Sequence, residues 1–252
     1  MIKELLQYFS SPANDTAKTW GYLHQSIALE NRYQRCQNQW STHLKKCHEF
    51  FKSEIPLSAK SVTILGSGLL SEVPKDFLIE RFEEIHLVDM VHPRVVRKWS
   101  ESHRQVKLHE MDVTGVLTQL DYKVPLRKIH FKPIAPWPTS DFVVSANLIS
   151  QLPYIPLRKL LNTSLPEKEL IQLGRKMIQN HFFQLSQMPK AIYWSDDLEL
   201  IKNRRGEMIA QNQTALDVPF PKIKQSWIWN LSPIGEVSHF KSHELIVKAG
   251  VA

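Results

Sequence analysis

Apolar positions along the chain follow two rhythms, and the change between them divides it. Up to about residue 55, Leu23, Ile27, Tyr33, Cys36, Trp40, Leu44, Cys47 and Phe51 recur at three- and four-residue steps with polar residues between them. That spacing predicts amphipathic helices, two or three in number, ended by Pro56 and Ser58. From residue 61 short apolar runs take over. Strands are predicted at 62–65, 85–88, 106–110, 141–146 and 191–194, and helices at 72–81 and 93–103. Residues 121–140 carry Pro125, Pro133, Pro136 and Pro138, which is loop chemistry. A long helix follows, with Ser164-Leu165-Pro166-Glu167 read as a capping box. Its inner stripe is Leu170, Leu173, Gly174, Met177, Ile178, His181, Phe182 and Leu185. Asn203-Arg204-Arg205-Gly206-Glu207 reads as a turn between two extended segments. Two last strands, at 227–231 and 237–247, are joined by a short connection holding Pro233 and Gly235 and must be antiparallel.

Strands alternating with helices predict an α/β fold, a doubly wound, mostly parallel sheet with helices on both faces. The expected division is an N-terminal helical cap over residues 1–57 and a main domain over 58–252. Apolar residues make up 42% of the 252, enough for a core of that size. Fifteen prolines against eight glycines favour rigid loops over linkers. No run of about 18 apolar residues occurs, so no membrane helix is expected. The start, Met1-Ile2-Lys3-Glu4-Leu5-Leu6, is amphipathic and lacks the apolar centre of a signal peptide, so a cytoplasmic location is expected.

Charge and cysteines add limits. The net charge is +7, and residues 94–132 hold nine Lys/Arg against four Asp/Glu. A basic face suits RNA, an anionic substrate or plain solvation. No arginine-rich tract or RNA-binding module accompanies it, so nucleic acid is allowed but not favoured. Cys36 and Cys47, with His43 and His48 nearby, match no zinc spacing, and His239 with His243 lacks a third ligand. No metal is expected, and both thiols are expected reduced.

The chemistry-bearing stretch is Ser61-Val62-Thr63-Ile64-Leu65-Gly66-Ser67-Gly68, followed by Ile85-His86-Leu87-Val88-Asp89. A strand, a glycine turn, a helix, a second strand and an acid suit a nucleotide-like cofactor. The glycines let backbone approach the ligand, and the acid can accept hydrogen bonds from ribose hydroxyls.

With the later segments, these residues resemble the class I S-adenosylmethionine-dependent methyltransferases over about residues 58–249. The resemblance implies a Rossmann-like seven-stranded sheet with an antiparallel last strand, and S-adenosylmethionine as cofactor. Gly66, Ser67 and Gly68 would lie under its methionine part, Asp89 and Met90 at the ribose, and Asp112 and Val113 at the adenine. The segment from Asn147 and Leu148 to Pro153 would flank the methyl donor. Two positions depart from the pattern: Ile64 stands where an acid is common, and Leu70 where a third glycine is common. The glycine turn alone fits a nicotinamide-binding fold as well; Asp112, the 147–153 segment and the C-terminal hairpin favour the methyltransferase. Singly, Asp112 also suits a helix cap and Asn147 a turn.

Methyl transfer from a sulfonium is an in-line displacement, so the protein mainly aligns donor and acceptor. The resemblance makes Asn147, Gln151 and Tyr154 the catalytic candidates. Tyr22 and His24 are acceptor-binding candidates if the N-terminal helices fold over as a lid. No Asn/Asp-Pro-Pro-Tyr/Phe motif follows the fourth strand, which argues against adenine-N6 or glutamine acceptors. A small-molecule or side-chain acceptor is expected. RNA methylation through the basic face, or a non-catalytic partner-binding role, are the alternatives.

Overall fold

Val62, Ile64, Val143 and Val144 are buried from both sides, as strands in the middle of a parallel sheet must be. The computed structural model describes residues 2–121, 123–132 and 134–252. Met1, Tyr122 and Pro133, and the side chains of Ile2 and Lys3, lie outside that description. Three helices come first: α1 (Ile2–Ser10), α2 (Asp15–Trp20) and α3 (Tyr22–Glu54). The main domain runs β1 (Ser61–Leu65), α4 (Lys75–Arg81), β2 (Glu84–Asp89), α5 (Arg94–Glu101), β3 (Val106–Glu110), α6 (Leu117–Asp121), β4 (Phe142–Ala146), α7 (Gln151–Leu160) and α8 (Glu167–Ser186). It ends with β5 (Ala191–Asn203), β6 (Met208–Gln213), β7 (Ile223–Ser232) and β8 (Lys241–Val251). No helix is long and apolar enough to cross a membrane among the described residues.

The strand order is β3-β2-β1-β4-β5-β8-β7. The first five pair parallel, and β8 is antiparallel to both β5 and β7. Seven strands were expected on this path, and β6, the extended segment after the turn at 203–207, pairs with β5 as an eighth. β5 bonds β8 along nearly all of one edge; on the other it bonds β4 through Ala191–Trp194 and β6 through residues 198–202. β6 therefore continues the line of β4 beyond its C-terminal end, beside the edge where the glycine turn lies.

The core has two main layers. Trp40, Phe50 and Phe51 of α3 pack on one face of the sheet with Leu78 and Val96, near Trp229 of β7. Leu23 and Ile27, at the start of α3, belong to the opposite layer with α2, α6, α7 and α8. α3 thus crosses from one face of the sheet to the other, with a kink at Cys36 (φ −111°, ψ 15°).

Several boundaries differ from expectation for local reasons. α4 starts at Lys75, not residue 72, because Pro74 disfavours helical backbone at Val73. α8 begins at Glu167 behind Pro166 with no side-chain cap, so Ser164 does not close a capping box. β5 extends to Asn203, since β8 and β6 supply partners where β4 has ended. β7 and β8 run Ile223–Ser232 and Lys241–Val251, four residues later at the start of β8 than its apolar pattern suggested. Short helical turns at Leu117–Asp121 and Leu126–Lys128 stand at and beside the proline-rich segment.

His181 of α8 is buried, its Nε2 is 2.8 Å from Ser145 Oγ, and burial lowers its pKa to about 3. The unfolded chain binds this proton near pH 6.5 and the native state does not. Stability from this group is full above pH 6.5 and falls by about 1.4 kcal/mol per unit as pH drops towards 3. His181→Gln keeps a polar partner for Ser145, so its stability should fall less steeply than wild type between pH 7.5 and 5.5 in urea unfolding. Equal slopes in the two proteins would contradict this account.

Candidate functional site

The turn after β1 is built to pass close under β4. Gly66 has φ +72°, and a Cβ there would stand 2.9 Å from Ala146 O and 3.0 Å from Leu148 Cβ. Gly68 has φ +47°, and a Cβ there would meet nothing nearer than Gly66 O at 3.9 Å, so the space over it is open. Leu70, in place of a third glycine, adopts φ +56° all the same and buries its side chain in the core. The left-handed conformation that glycine would supply is retained, at a cost of about 1–2 kcal/mol.

Asp89, at the end of β2, closes this turn. Its Oδ2 accepts from Gly68 N at 2.8 Å and its Oδ1 from Met90 N at 2.7 Å. Each oxygen keeps a lone pair for a further donor. Burial pushes the carboxyl up, opposed by His92 and by these N–H groups. His92 is buried beside it; its Nε2 lies 3.2 Å from His109 O and its Nδ1 3.4 Å from Ser67 Oγ. A carbonyl demands a donor, so Nε2 carries the proton and the ring is neutral, in line with the lowering of its pKa by burial.

Asp112 follows β3 and is heavily engaged. Oδ1 accepts from Thr114 N at 2.8 Å and Thr114 Oγ1 at 2.6 Å, and Oδ2 from Leu117 N at 2.9 Å. This caps α6 and leaves little free acceptor capacity. Val113 is buried next to it. Tyr22, the first residue of α3, faces both acids: burial chiefly, then the charges of Asp112 and Asp89, raise its hydroxyl pKa far above the usual tyrosine value. The start of α3 thus covers the β2–β3 end of the edge. His24 stands apart, exposed and stacked on Tyr8 with ring centres 4.4 Å apart.

At the end of β4, Asn147 adopts φ +48° and donates its backbone N–H to Trp194 O at 2.8 Å. Gln151 donates to Ser150 Oγ at 3.0 Å, and Ser150 Oγ donates to Asp196 Oδ1 at 2.7 Å. Asp196 is buried, which pushes its carboxyl pKa up. Tyr154 is 46% exposed in the first turn of α7. Glu72, Asp196 and His92 were not expected at this edge. Glu72 was assigned to a helix, although Pro74 two residues on was the signal that the loop continues through it. A separate cavity of about 600 Å³, lined by Tyr33, Gln37, His48, Lys52, Leu70 and Asp76 among others, lies between α3 and the segment after the glycine turn, beside this site and not at it.

Five parallel strands ordered β3-β2-β1-β4-β5, with β8 returning antiparallel beside β5, decide the architecture. It is the class I methyltransferase fold. No described protein family and no curated protein matches the sequence. Solved structures with this fold that resemble the chain include the Burkholderia thailandensis 1,6-didemethyltoxoflavin-N1-methyltransferase, with 1,6-didemethyltoxoflavin and S-adenosylhomocysteine bound. It has 9% identity over 96% of this chain and 92% of that one, with a TM-score of 0.41. A Leishmania major SAM-dependent methyltransferase shares 11% over 98% and 82%, with a TM-score of 0.38. The 23S rRNA methyltransferase ErmE shares 10% over 82% and 68%, with a TM-score of 0.35. In the class I methyltransferase fold, Gly66–Gly68, Asp89, Asp112 and Asn147 all stand on the C-terminal edge of the sheet, and Tyr22 reaches the same edge.

Proposed function

We propose that the protein is an S-adenosylmethionine-dependent methyltransferase acting on a small-molecule or side-chain acceptor. The observation that carries this reading is the joint between Asp89 and the glycine turn, with open space over Gly68 and free lone pairs on the carboxylate. A group with ribose hydroxyls at Asp89 and a chain running over Gly66, Ser67 and Gly68 fits that arrangement. Met90 and Val113 would supply apolar contacts, Asp112 its remaining acceptor capacity, and Asn147 with Leu148 the far end. The cofactor, when bound, supplies a methyl group already activated on a sulfonium.

The chain's own residues then have to hold an acceptor in line with it and exclude water. Asn147 and Gln151 are placed for hydrogen bonding and Tyr154 for contact at the end of β4. Tyr22 holds its proton too firmly to act as a base, so its role in this reading is to cover the site. Ser150 Oγ donates to Asp196 Oδ1, whose raised pKa makes this carboxylate a better proton acceptor than an ordinary one, so a proton that reaches Ser150 has a route to it; the amide of Gln151 orients and does not carry the proton. Ion pairing takes two of the cations in 94–132 out of play, Arg97 with Glu110 and Lys107 with Glu84, which favours a small acceptor over RNA.

The test is transfer of labelled methyl from S-adenosylmethionine into a cell extract separated afterwards into small-molecule, protein and RNA pools. Label is expected in the small-molecule or protein pool and unaffected by moderate salt. Label confined to RNA and lost steeply with salt would replace this acceptor class by nucleic acid.

A further inference from the structure

Glu72 sits in the loop between the glycine turn and α4, its side chain 17% exposed, and reaches Asn147 at the end of β4 and Trp194 of β5. Its Oε2 accepts from Trp194 Nε1 at 2.7 Å. Its Oε1 is 3.2 Å from His43 Nε2 and 3.4 Å from Asn147 Nδ2. His43, Cys47 and Glu72 offer ligand atoms within 4.8 Å of one another, a spacing that invites a metal ion. The tautomer of His43 argues against one. Trp227 Nε1 lies 2.9 Å from His43 Nδ1, and an indole N–H only donates. Nδ1 must therefore be the bare nitrogen, and Nε2 carries the proton towards Glu72, with no lone pair for a metal. Burial and the charge of Glu72 hold the Cys47 thiol protonated.

The same tautomer leaves His43 neutral. Glu72 is then held by three uncharged donors, and no lysine or arginine among the described residues pairs with it. A largely buried carboxylate without a counter-ion is costly unless something bound there supplies the charge. A second, independent feature lies against it. Asn147 must turn its amide nitrogen to the carboxylate, and its Oδ1 is buried with no hydrogen-bond partner. Two acceptors, one of them charged, thus stand side by side in need of a positively charged donor. A sulfonium carries no N–H and would leave Oδ1 unpaired; an ammonium group has three donors and serves both.

We propose that Glu72, with the amide oxygen of Asn147, binds a primary ammonium group of a molecule seated at this edge. The proposal deepens the reading of the edge as a cofactor and acceptor site and rests on it. Two sources carry that chemistry: the amino-acid end of the cofactor, and an amine on the acceptor.

The experiment titrates wild type and Glu72→Gln with S-adenosylhomocysteine and with 5′-methylthioadenosine, which lacks the amino-acid end. n-Butylammonium is titrated separately, with and without S-adenosylhomocysteine. If the ammonium belongs to the cofactor, Glu72→Gln loses roughly tenfold or more in affinity for S-adenosylhomocysteine and keeps that for methylthioadenosine. If it belongs to the acceptor, both nucleosides bind unchanged, and butylammonium binds wild type but not the variant. Equal losses for both nucleosides would assign Glu72 a structural role, and no change with any of the three probes would leave it no ligand; either overturns the proposal. Should Glu72→Gln not fold, Glu72→Asp keeps the charge but draws it back, and a selective loss for S-adenosylhomocysteine or butylammonium is again expected. A wild type that binds neither nucleoside defeats the wider reading, and the butylammonium arm alone then decides Glu72.

Discussion

Asp89→Ala is expected to cost roughly ten- to 150-fold in affinity for S-adenosylhomocysteine, the equivalent of about 1.5–3 kcal/mol for lost hydrogen bonds to a charged group. Two losses combine. The ribose hydroxyls lose their acceptor, and Gly68 N–H and Met90 N–H lose the carboxylate that fixes the turn at 2.8 and 2.7 Å. Asp89→Asn is not a mild control, because its amide can turn only one acceptor oxygen to the two backbone N–H groups. Both variants should bind less tightly than wild type in calorimetry. An Asp89→Ala protein that binds as tightly as wild type would show that the ribose lies elsewhere.

Gly66→Val is expected to be worse, and for a reason the sequence did not disclose. The resemblance, which sets this turn under the cofactor, suggests a side chain entering the ligand's space. The geometry sends its Cβ into the protein instead, 2.9 Å from Ala146 O and 3.0 Å from Leu148 Cβ, at φ +72°. Left-handed strain and overpacking together should cost about 2–5 kcal/mol of stability. Urea unfolding should show that loss, and nucleoside binding should be abolished because the ends of β1 and β4 are pushed apart. Gly68→Ala separates the two effects: its Cβ enters open space, so stability should change by little more than the left-handed strain while binding falls. If Gly66→Val keeps both its stability and its affinity, the close passage of the turn under β4 is wrong.

The parallel half of the sheet was legible in the sequence because its strands are buried on both faces. Runs such as Val62–Leu65 and Phe142–Ala146 leave no other assignment once glycine and proline bound them. The antiparallel part was less clear. β6 is exposed along its whole length, so it carries no hydrophobic signature, and its existence depends on β5 outrunning β4. The glycine turn and Asp89 were legible because backbone chemistry fixes which residues can stand there. Glu72 and Asp196 were not, since their placement depends on long-range contacts: Glu72 with Trp194, 122 positions away, and Asp196 with Ser150, 46 positions away. Asp112 shows the limit of reading one residue at a time. It follows β3 at the C-terminal edge of the sheet, and it also caps α6 through Oδ2 while Thr114 holds Oδ1.

Calorimetric titration of the purified protein with S-adenosylmethionine, S-adenosylhomocysteine and NADH in parallel tests the central claim most directly. Saturable binding of both sulfur nucleosides, with none for NADH, is the result this account predicts. Binding of NADH alone, or of none of the three, would contradict it.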